Sequence, residues 1–165
     1  MDVREQSARG AAVWPWISTV ARLGLAAVFL TAGGLKVTDL AASARAVNAY
    51  RLTSYDTAKV IGAVQPFLEI ALGLLVLVGL AVRLSAAVAA TVLVIFMAGI
   101  VWAWARGLRI DCGCFSEGGE LAGGRTAQYG WDLLRDAGFL ILAGILLVKP
   151  RTRWSLDGFL LGARR

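Results

Sequence analysis

The stretch LSAAVAATVLVIFMAGIVWAWA, residues 84–105, carries no charged side chain from end to end. At a rise of 1.5 Å per residue it would form a helix about 33 Å long, and the hydrocarbon core of a bilayer is about 30 Å thick. Three more apolar windows lie at residues 17–35, 60–82 and 131–148. The sequence therefore predicts an all-α integral membrane protein, a bundle of four antiparallel helices in a single domain.

The composition agrees with a membrane protein. Hydrophobic residues make up 58% of the 165-residue chain and charged residues 17%, against about 25% in a typical soluble protein. The chain has no His, which excludes Ser-His and Cys-His catalysis, His-ligated haem and His-containing zinc sites. The net charge of +6 indicates contact with anionic lipid headgroups, and no nucleic-acid partner is expected.

The connections between the four windows differ in length. Arg83 alone separates the second window from the third, which predicts a tight hairpin. Residues 36–59 carry apolar side chains at helical spacing and predict a short amphipathic helix on the membrane interface. Residues 106–130 form a loop with both cysteines, too rich in Gly for regular structure.

The orientation follows from the basic residues next to the last window. Lys149, Arg151 and Arg153 lie directly after it, in a basic tail at residues 149–165. The positive-inside rule then predicts a multi-pass protein of the inner or plasma membrane with both termini cytoplasmic and an extracytoplasmic loop at 106–130. The competing interpretation of residues 17–35 is a signal peptide, but this stretch is long for one.

The sharpest chemical signal is Asp111-Cys112-Gly113-Cys114-Phe115 in that loop. A disulfide between residues i and i+2 requires a bent backbone, which Gly113 permits, and a strained ring is readily reduced. This pattern predicts an exchange-competent redox pair, Cys112 and Cys114. Two alternatives remain: incidental thiols in a loop, and a Cu(I) thiolate pair that would lack Met ligands. No other metal site is expected.

The sequence does not determine which cysteine attacks. Arg109 would favour a thiolate at Cys112 and the adjacent Asp111 opposes it. Cys112 is favoured as the attacker, because Phe115 would shield Cys114 against the bilayer surface.

Charged side chains inside the windows are candidates for supporting roles. Placing the charged carboxylate of Glu69 at the centre of a membrane helix costs free energy, so it needs a partner, a proton or a hydrated cavity. It is interpreted first as a residue that locks the bundle and second as a proton or cofactor contact. Arg22 lies near the start of its window and is expected to extend to the interface. Asp132, Arg135 and Asp136 are expected to cap and pair within their helix, or to shape the electrostatics of the cysteine loop.

The same residues resemble a known group. Residues 22–36 and 46–79, the latter with Tyr50, Pro66, Glu69 and Gly73, resemble the DoxX-like superfamily of four-helix membrane proteins. Cys112-Gly-Cys-Phe115, followed by Trp131 and Leu134-Arg135, resembles the methylamine utilisation protein MauE branch of that group. The resemblance covers residues 20–148.

The resemblance implies a membrane protein associated with thiol redox and with maturation of secreted disulfide-containing proteins. Methylamine itself is not carried over as a substrate. The expected partners are membrane lipids and either a thioredoxin-fold protein or a secreted disulfide-containing client. The residues do not assign a cofactor; a quinone is one candidate, as in membrane oxidases of the VKOR and DsbB kind, which use two cysteine pairs where this chain has one.

The hypothesis from the sequence is a membrane thiol-disulfide oxidoreductase in which one cysteine attacks and the other resolves. The alternative is a non-catalytic assembly factor with dispensable cysteines. A small transporter that uses Glu69 is disfavoured, because one intramembrane acid and two short hairpins offer little machinery for alternating access.

Overall fold

The computed structural model describes residues 3–113, 118–121 and 126–162, with side chains described between residues 13 and 159 of these ranges. The elements in chain order are α1 (Val3–Val37), α2 (Leu40–Ala49), α3 (Tyr55–Val78), α4 (Val82–Ala105), β1 (Ile110–Asp111), β2 (Gly119–Glu120), α5 (Tyr129–Val148) and α6 (Leu156–Gly162).

In the part of the chain that the structure describes, three helical stretches are long and apolar enough to cross a membrane: Val13–Val37 of α1, α3 and α4. The 20-residue α5 would be about 30 Å long, but three charged side chains occupy its first two turns. Aliphatic side chains such as Leu68, Ile95 and Ile141 are more than half exposed and would face lipid. The prediction of an all-α integral membrane protein is confirmed.

The four long helices form a ring that is tight on three sides. Helix α3 packs against α1, α1 against α5, and α5 against α4, around a core that contains Leu25, Phe29, Val76, Leu93 and Leu146. Helices α3 and α4 follow each other in the chain but make few contacts with each other. The side of the bundle between α3 and α4 is therefore loosely closed.

Glycines allow α1 and α2 to approach α3 closely. A Cβ atom at Gly33 in α1 would lie 2.7 Å from the carbonyl oxygen of Pro66 in α3. A Cβ atom at Gly62 in α3 would lie 2.5 Å from the backbone nitrogen of Ala44 in α2. Small residues allow backbones in membrane helices to meet, and here they hold both α1 and α2 against α3.

The expectation that Arg83 alone connects two spans is wrong. Helix α3 ends at Val78, α4 begins at Val82, and Arg83 lies within α4. Gly79 adopts φ +69°, and the amides of Gly79 and Leu80 donate to the carbonyl of Leu75, which closes the end of α3. An apolar window cannot reveal this turn because the turn residues are themselves apolar.

Other boundaries also differ from the apolar windows. Helix α1 extends upstream to Val3, and α3 begins at Tyr55, where the side chain of Ser54 accepts a hydrogen bond from the amide of Thr57. The short helix expected between the first two spans is present as α2, with Asp39 as its N-cap. Polar first turns are missed when a helix is defined by its apolar part alone.

The loop at residues 106–130 contains a pair of short strands, contrary to the expectation of no regular structure. Ile110 pairs with Glu120, and Asp111 pairs with Gly119. Gly118 and Gly119 both have positive φ, which lets the chain turn back onto β1. The glycines therefore shape the hairpin rather than prevent it.

The segment expected to be a basic tail folds over the end of the bundle that holds the α3–α4 turn. Arg22 donates from Nη2 to the carbonyls of Arg153 and Trp154, each at 3.2 Å. The carboxylate of Asp157 accepts from the amides of Ala81 and Val82, each at 2.8 Å, at the start of α4. Arg22 is only 3% exposed, so the tail covers it instead of leaving it to extend to the interface.

The contact between α2 and α3 can be tested by a substitution that adds one methyl group. We expect Gly62→Ala to lower the free energy of unfolding by about 1–3 kcal/mol, because the new Cβ would overlap the backbone of Ala44. The matched control Gly144→Ala meets no atom within 4 Å and should be neutral or slightly stabilising. Thermal unfolding of the detergent-solubilised chain measures both, and equal midpoints for the two variants would contradict the packing.

Candidate thiol site and intramembrane charges

Cys112 lies directly after β1, in a loop held by hydrogen bonds to its backbone. The Tyr50 hydroxyl, at the end of α2, donates to the carbonyl of Cys112 at 3.2 Å. The amide of Gly113 donates to Oδ1 of Asp111 at 3.0 Å, a local turn that Asp side chains favour. Gly113 has φ +72°, so the chain bends immediately after the half-buried Cys112.

A second anchor joins the start of this loop to α5. The hydroxyl of Tyr129 donates to the carbonyl of Leu108 and accepts from the amide of Ile110 at 3.1 Å. Tyr129 is buried and its ring lies beside that of Trp104. The segment that precedes Cys112 is thereby anchored to the first turn of α5.

Arg135, in the second turn of α5, reaches the thiol. Its Nη2 atom lies 3.7 Å from Sγ of Cys112. The guanidinium also forms ion pairs with Asp132 and Asp136, both at 3.1 Å. The expected pairing within this helix is observed, and the pairs hold the guanidinium in place. An N–H donor aimed at sulfur stabilises a thiolate, even where the two carboxylates offset the overall charge.

Three residues singled out in the sequence thus come together: Cys112, Arg135 and Asp111. Asp111 contributes by shaping the turn. Cys114 lies outside the described residues, so the strained Cys112–Cys114 ring and the assignment of the attacking cysteine stay predictions.

Glu69 has two partners that the sequence analysis missed. Its carboxylate is 3% exposed and accepts from Nζ of Lys36 at 2.6 and 2.9 Å and from Nε2 of Gln65 at 3.0 Å. Lys36 belongs to the predicted connection at residues 36–59, but in the structure it is the penultimate residue of α1. Two features of the sequence could have indicated these partners: an acid inside a membrane needs a compensating group, and Gln65 lies one helical turn before Glu69.

A cavity of about 540 Å³ extends from Cys112 into the bundle. It lies between α2, the first half of α3 and the second half of α4, on the loosely closed side. Its walls include Tyr50, Lys36, Gln65, Ile61, Ile95 and Gly99. It therefore joins the thiol loop to the paired charges at Lys36.

Asp136 lies between the charges around Arg135 and the Lys36–Glu69 pair. It is 2% exposed, and its Oδ2 atom makes no hydrogen bond within the described part of the chain. A small void of about 20 Å³ is lined by Asp136, Lys36 and Glu69. Among the described residues no cluster of three or more His, Cys, Asp or Glu side chains could hold a metal ion.

These features define a helical membrane protein with a thiol beside a paired guanidinium and a cavity leading into the bundle. The family model described as methylamine utilisation protein MauE matches residues 14–149. The chain belongs to the MauE family. No match to the chain was found among curated proteins or solved structures. Kinship with the wider DoxX-like superfamily stays a resemblance.

The Lys36–Glu69 pair allows a test of the structural role of Glu69. Breaking a buried pair costs about 3–5 kcal/mol, whereas replacing both partners by apolar residues is often neutral. We expect Glu69→Leu to lower accumulation and the unfolding midpoint strongly, and Glu69→Gln to do so less because an amide keeps hydrogen bonds.

The double variant Lys36→Met/Glu69→Leu should recover most of the stability lost in Glu69→Leu, because it leaves no uncompensated ammonium. Immunoblots of membranes and thermal unfolding measure the series. A double variant as unstable as Glu69→Leu would contradict the pairing, and a stable but inactive Glu69→Gln would favour a proton or cofactor role.

Proposed function

We propose that this protein carries out thiol-disulfide exchange through Cys112 and Cys114 in the maturation of secreted disulfide-containing proteins. The observation that supports this most is the 3.7 Å contact between Nη2 of Arg135 and Sγ of Cys112. A thiolate is the reactive species in exchange, and a positioned guanidinium favours it. Membership of the MauE family agrees with a membrane protein in such a role.

The proposed cycle begins with a Cys112–Cys114 disulfide. A thiolate of the partner attacks Sγ of Cys112, an S–S bond forms between the two proteins, and Cys114 leaves as a thiolate that takes up a proton. The second thiolate of the partner then attacks its own sulfur in that bond and releases Cys112. The partner loses two electrons and gains a disulfide, and the Cys112–Cys114 pair is reduced. Arg135 stabilises the Cys112 thiolate as it leaves.

The reaction requires a partner that can reach a short loop at the membrane surface. We propose a thioredoxin-fold protein or the secreted client itself, and we place the loop outside the cytoplasm, because disulfides persist there. Both termini then lie in the cytoplasm of a cell with the protein in its inner or plasma membrane.

The orientation can be tested with single cysteines in a Cys112→Ser/Cys114→Ser background. We expect an impermeant maleimide to label Thr126→Cys, in the exposed part of the loop, on intact cells. Arg151→Cys, exposed in the tail segment, should be labelled only after permeabilisation. The reverse pattern would place the thiols in the cytoplasm and remove the basis for the proposal.

The exchange can be tested by trapping. Exchange is reversible, so Cys112 alone can attack the disulfide of an oxidised partner, and nothing remains in Cys114→Ser to release the product. We expect Cys114→Ser to accumulate an adduct that dithiothreitol dissolves and mass spectrometry identifies as a secreted thioredoxin-fold protein or client. Cys112→Ser should accumulate less.

Two controls separate exchange from chance contact. Thr126→Cys in the Cys112→Ser/Cys114→Ser background places a thiol in the same loop and should trap little. If no variant traps a partner, and the Cys112→Ser/Cys114→Ser protein matures the client as well as the wild type, the non-catalytic assembly factor replaces the proposal.

A further inference from the structure

We infer that the cavity beside Cys112 binds the headgroup of a membrane quinone, which accepts the electrons of the reduced cysteine pair. This inference rests on the proposed exchange, because each cycle leaves the pair reduced and an oxidant must restore it. It adds the chemical class of that oxidant and the place where it binds.

The cavity is accessible from the bilayer. The cavity lies where α3 and α4 make few contacts, and Ile61 and Ile95 in its wall are 40% and 61% exposed. Both side chains lie within helices long and apolar enough to span the membrane. A ligand dissolved in lipid can therefore reach the cavity sideways between the helices.

The interior of the cavity offers a hydrogen-bond donor. Lys36 lines the cavity with a side chain only 10% exposed, and its ammonium lies 5.5 Å from the centre of the Phe96 ring, which also lines it. An ammonium has three N–H donors, and contacts with the two Glu69 oxygens leave capacity for another acceptor. A quinone carbonyl supplies such an acceptor on a flat ring, whereas a lipid acyl chain would leave the donor unused.

The cavity also has the size of a small-molecule site and lies next to the thiol. The volume of about 540 Å³ lies within the range of about 300–1,000 Å³ typical of small-molecule sites. Cys112 and Gly113 form one part of the wall, and Lys36 and Gln65 another. A headgroup held by Lys36 would share the cavity with the thiol. A single cysteine pair could then pass electrons directly to quinone, without a second pair as a relay.

The redox step is balanced by this acceptor. The two thiols of Cys112 and Cys114 lose two electrons and two protons and form one S–S bond. The quinone gains two electrons and two protons and becomes a quinol. The disulfide is then ready for the next partner, and the quinol returns to the bilayer through the gap between α3 and α4.

The test uses the full chain in lipid nanodiscs and decylubiquinone, a short-tailed quinone. Two activities are measured separately: oxidation of a synthetic two-cysteine peptide by the pre-oxidised protein without quinone, and reduction of quinone by the pre-reduced protein. Gly99→Leu fills the cavity, where a Cβ would lie 3.4 Å from the Tyr50 ring. Gly138→Leu is the matched control on the exposed side of α5, with no atom within 4 Å.

We expect Gly99→Leu to lower the ratio of quinone reduction to peptide oxidation about tenfold, equivalent to about 1.4 kcal/mol of lost binding. Gly138→Leu should leave both activities at the level of the wild type. An unchanged ratio in Gly99→Leu would overturn the quinone site while the exchange stands. Absence of peptide oxidation in the wild type would instead overturn the proposed function.

Quinone binding can also be measured directly. This measurement requires neither the two thiols nor a Gly99→Leu variant that folds. An azido-decylubiquinone should crosslink to the Cys112→Ser/Cys114→Ser protein within the cavity wall, and excess decylubiquinone should prevent it. Crosslinks confined to other surfaces, or a cavity occupied by phospholipid that quinone does not displace, would overturn the inference. Crosslinking in the cavity without quinone reduction by the wild type would overturn the electron transfer.

Discussion

A carboxylate in the hydrocarbon region has to be compensated, and much of this structure depends on how Glu69 is paired. Insertion of such a group costs about 2.5–3.5 kcal/mol, and Lys36 offsets that cost from the end of α1. Glu69 lies in the middle of α3, so the pair joins the end of α1 to the middle of α3. The first half of α3 then extends beyond α1 and is covered by α2, where Ala44 meets Gly62. The space left between α2, α3 and α4 is the cavity.

The charges in the bundle form a series rather than isolated pairs. Arg135 contacts Cys112 and Asp136, and Asp136 shares a small void with Lys36 and Glu69. Each carboxylate in the series has a cationic neighbour, which is how buried charge is tolerated at low dielectric. The thiol loop is therefore linked electrostatically to the interior of the bundle, and its backbone is also anchored there by hydrogen bonds to Tyr50 and Tyr129.

The sequence predicts the spans because hydrophobic length is a local property. It also predicts the pairing of Arg135 with Asp132, since residues three apart lie on one helix face. The contact of Arg135 with Cys112 and that of Lys36 with Glu69 join positions far apart in the chain, and no local pattern encodes them. The α3–α4 turn was missed for another reason: Gly79 ends α3 by its backbone conformation within an apolar run. The cavity results from helices that fail to meet, which no single segment reveals.

Asp157 supplies the cap of α4 from 75 and 76 residues away along the chain. The methyl side chain of Ala81, the N-cap residue of α4, cannot accept a hydrogen bond, and Arg22 donates to the carbonyls of Arg153 and Trp154. A chain that lacked residues 153–157 would leave the first turn of α4 without this cap and Nη2 of Arg22 without these acceptors. This end of the bundle is therefore closed by contacts between segments far apart in the chain, and local helix formation alone cannot complete it.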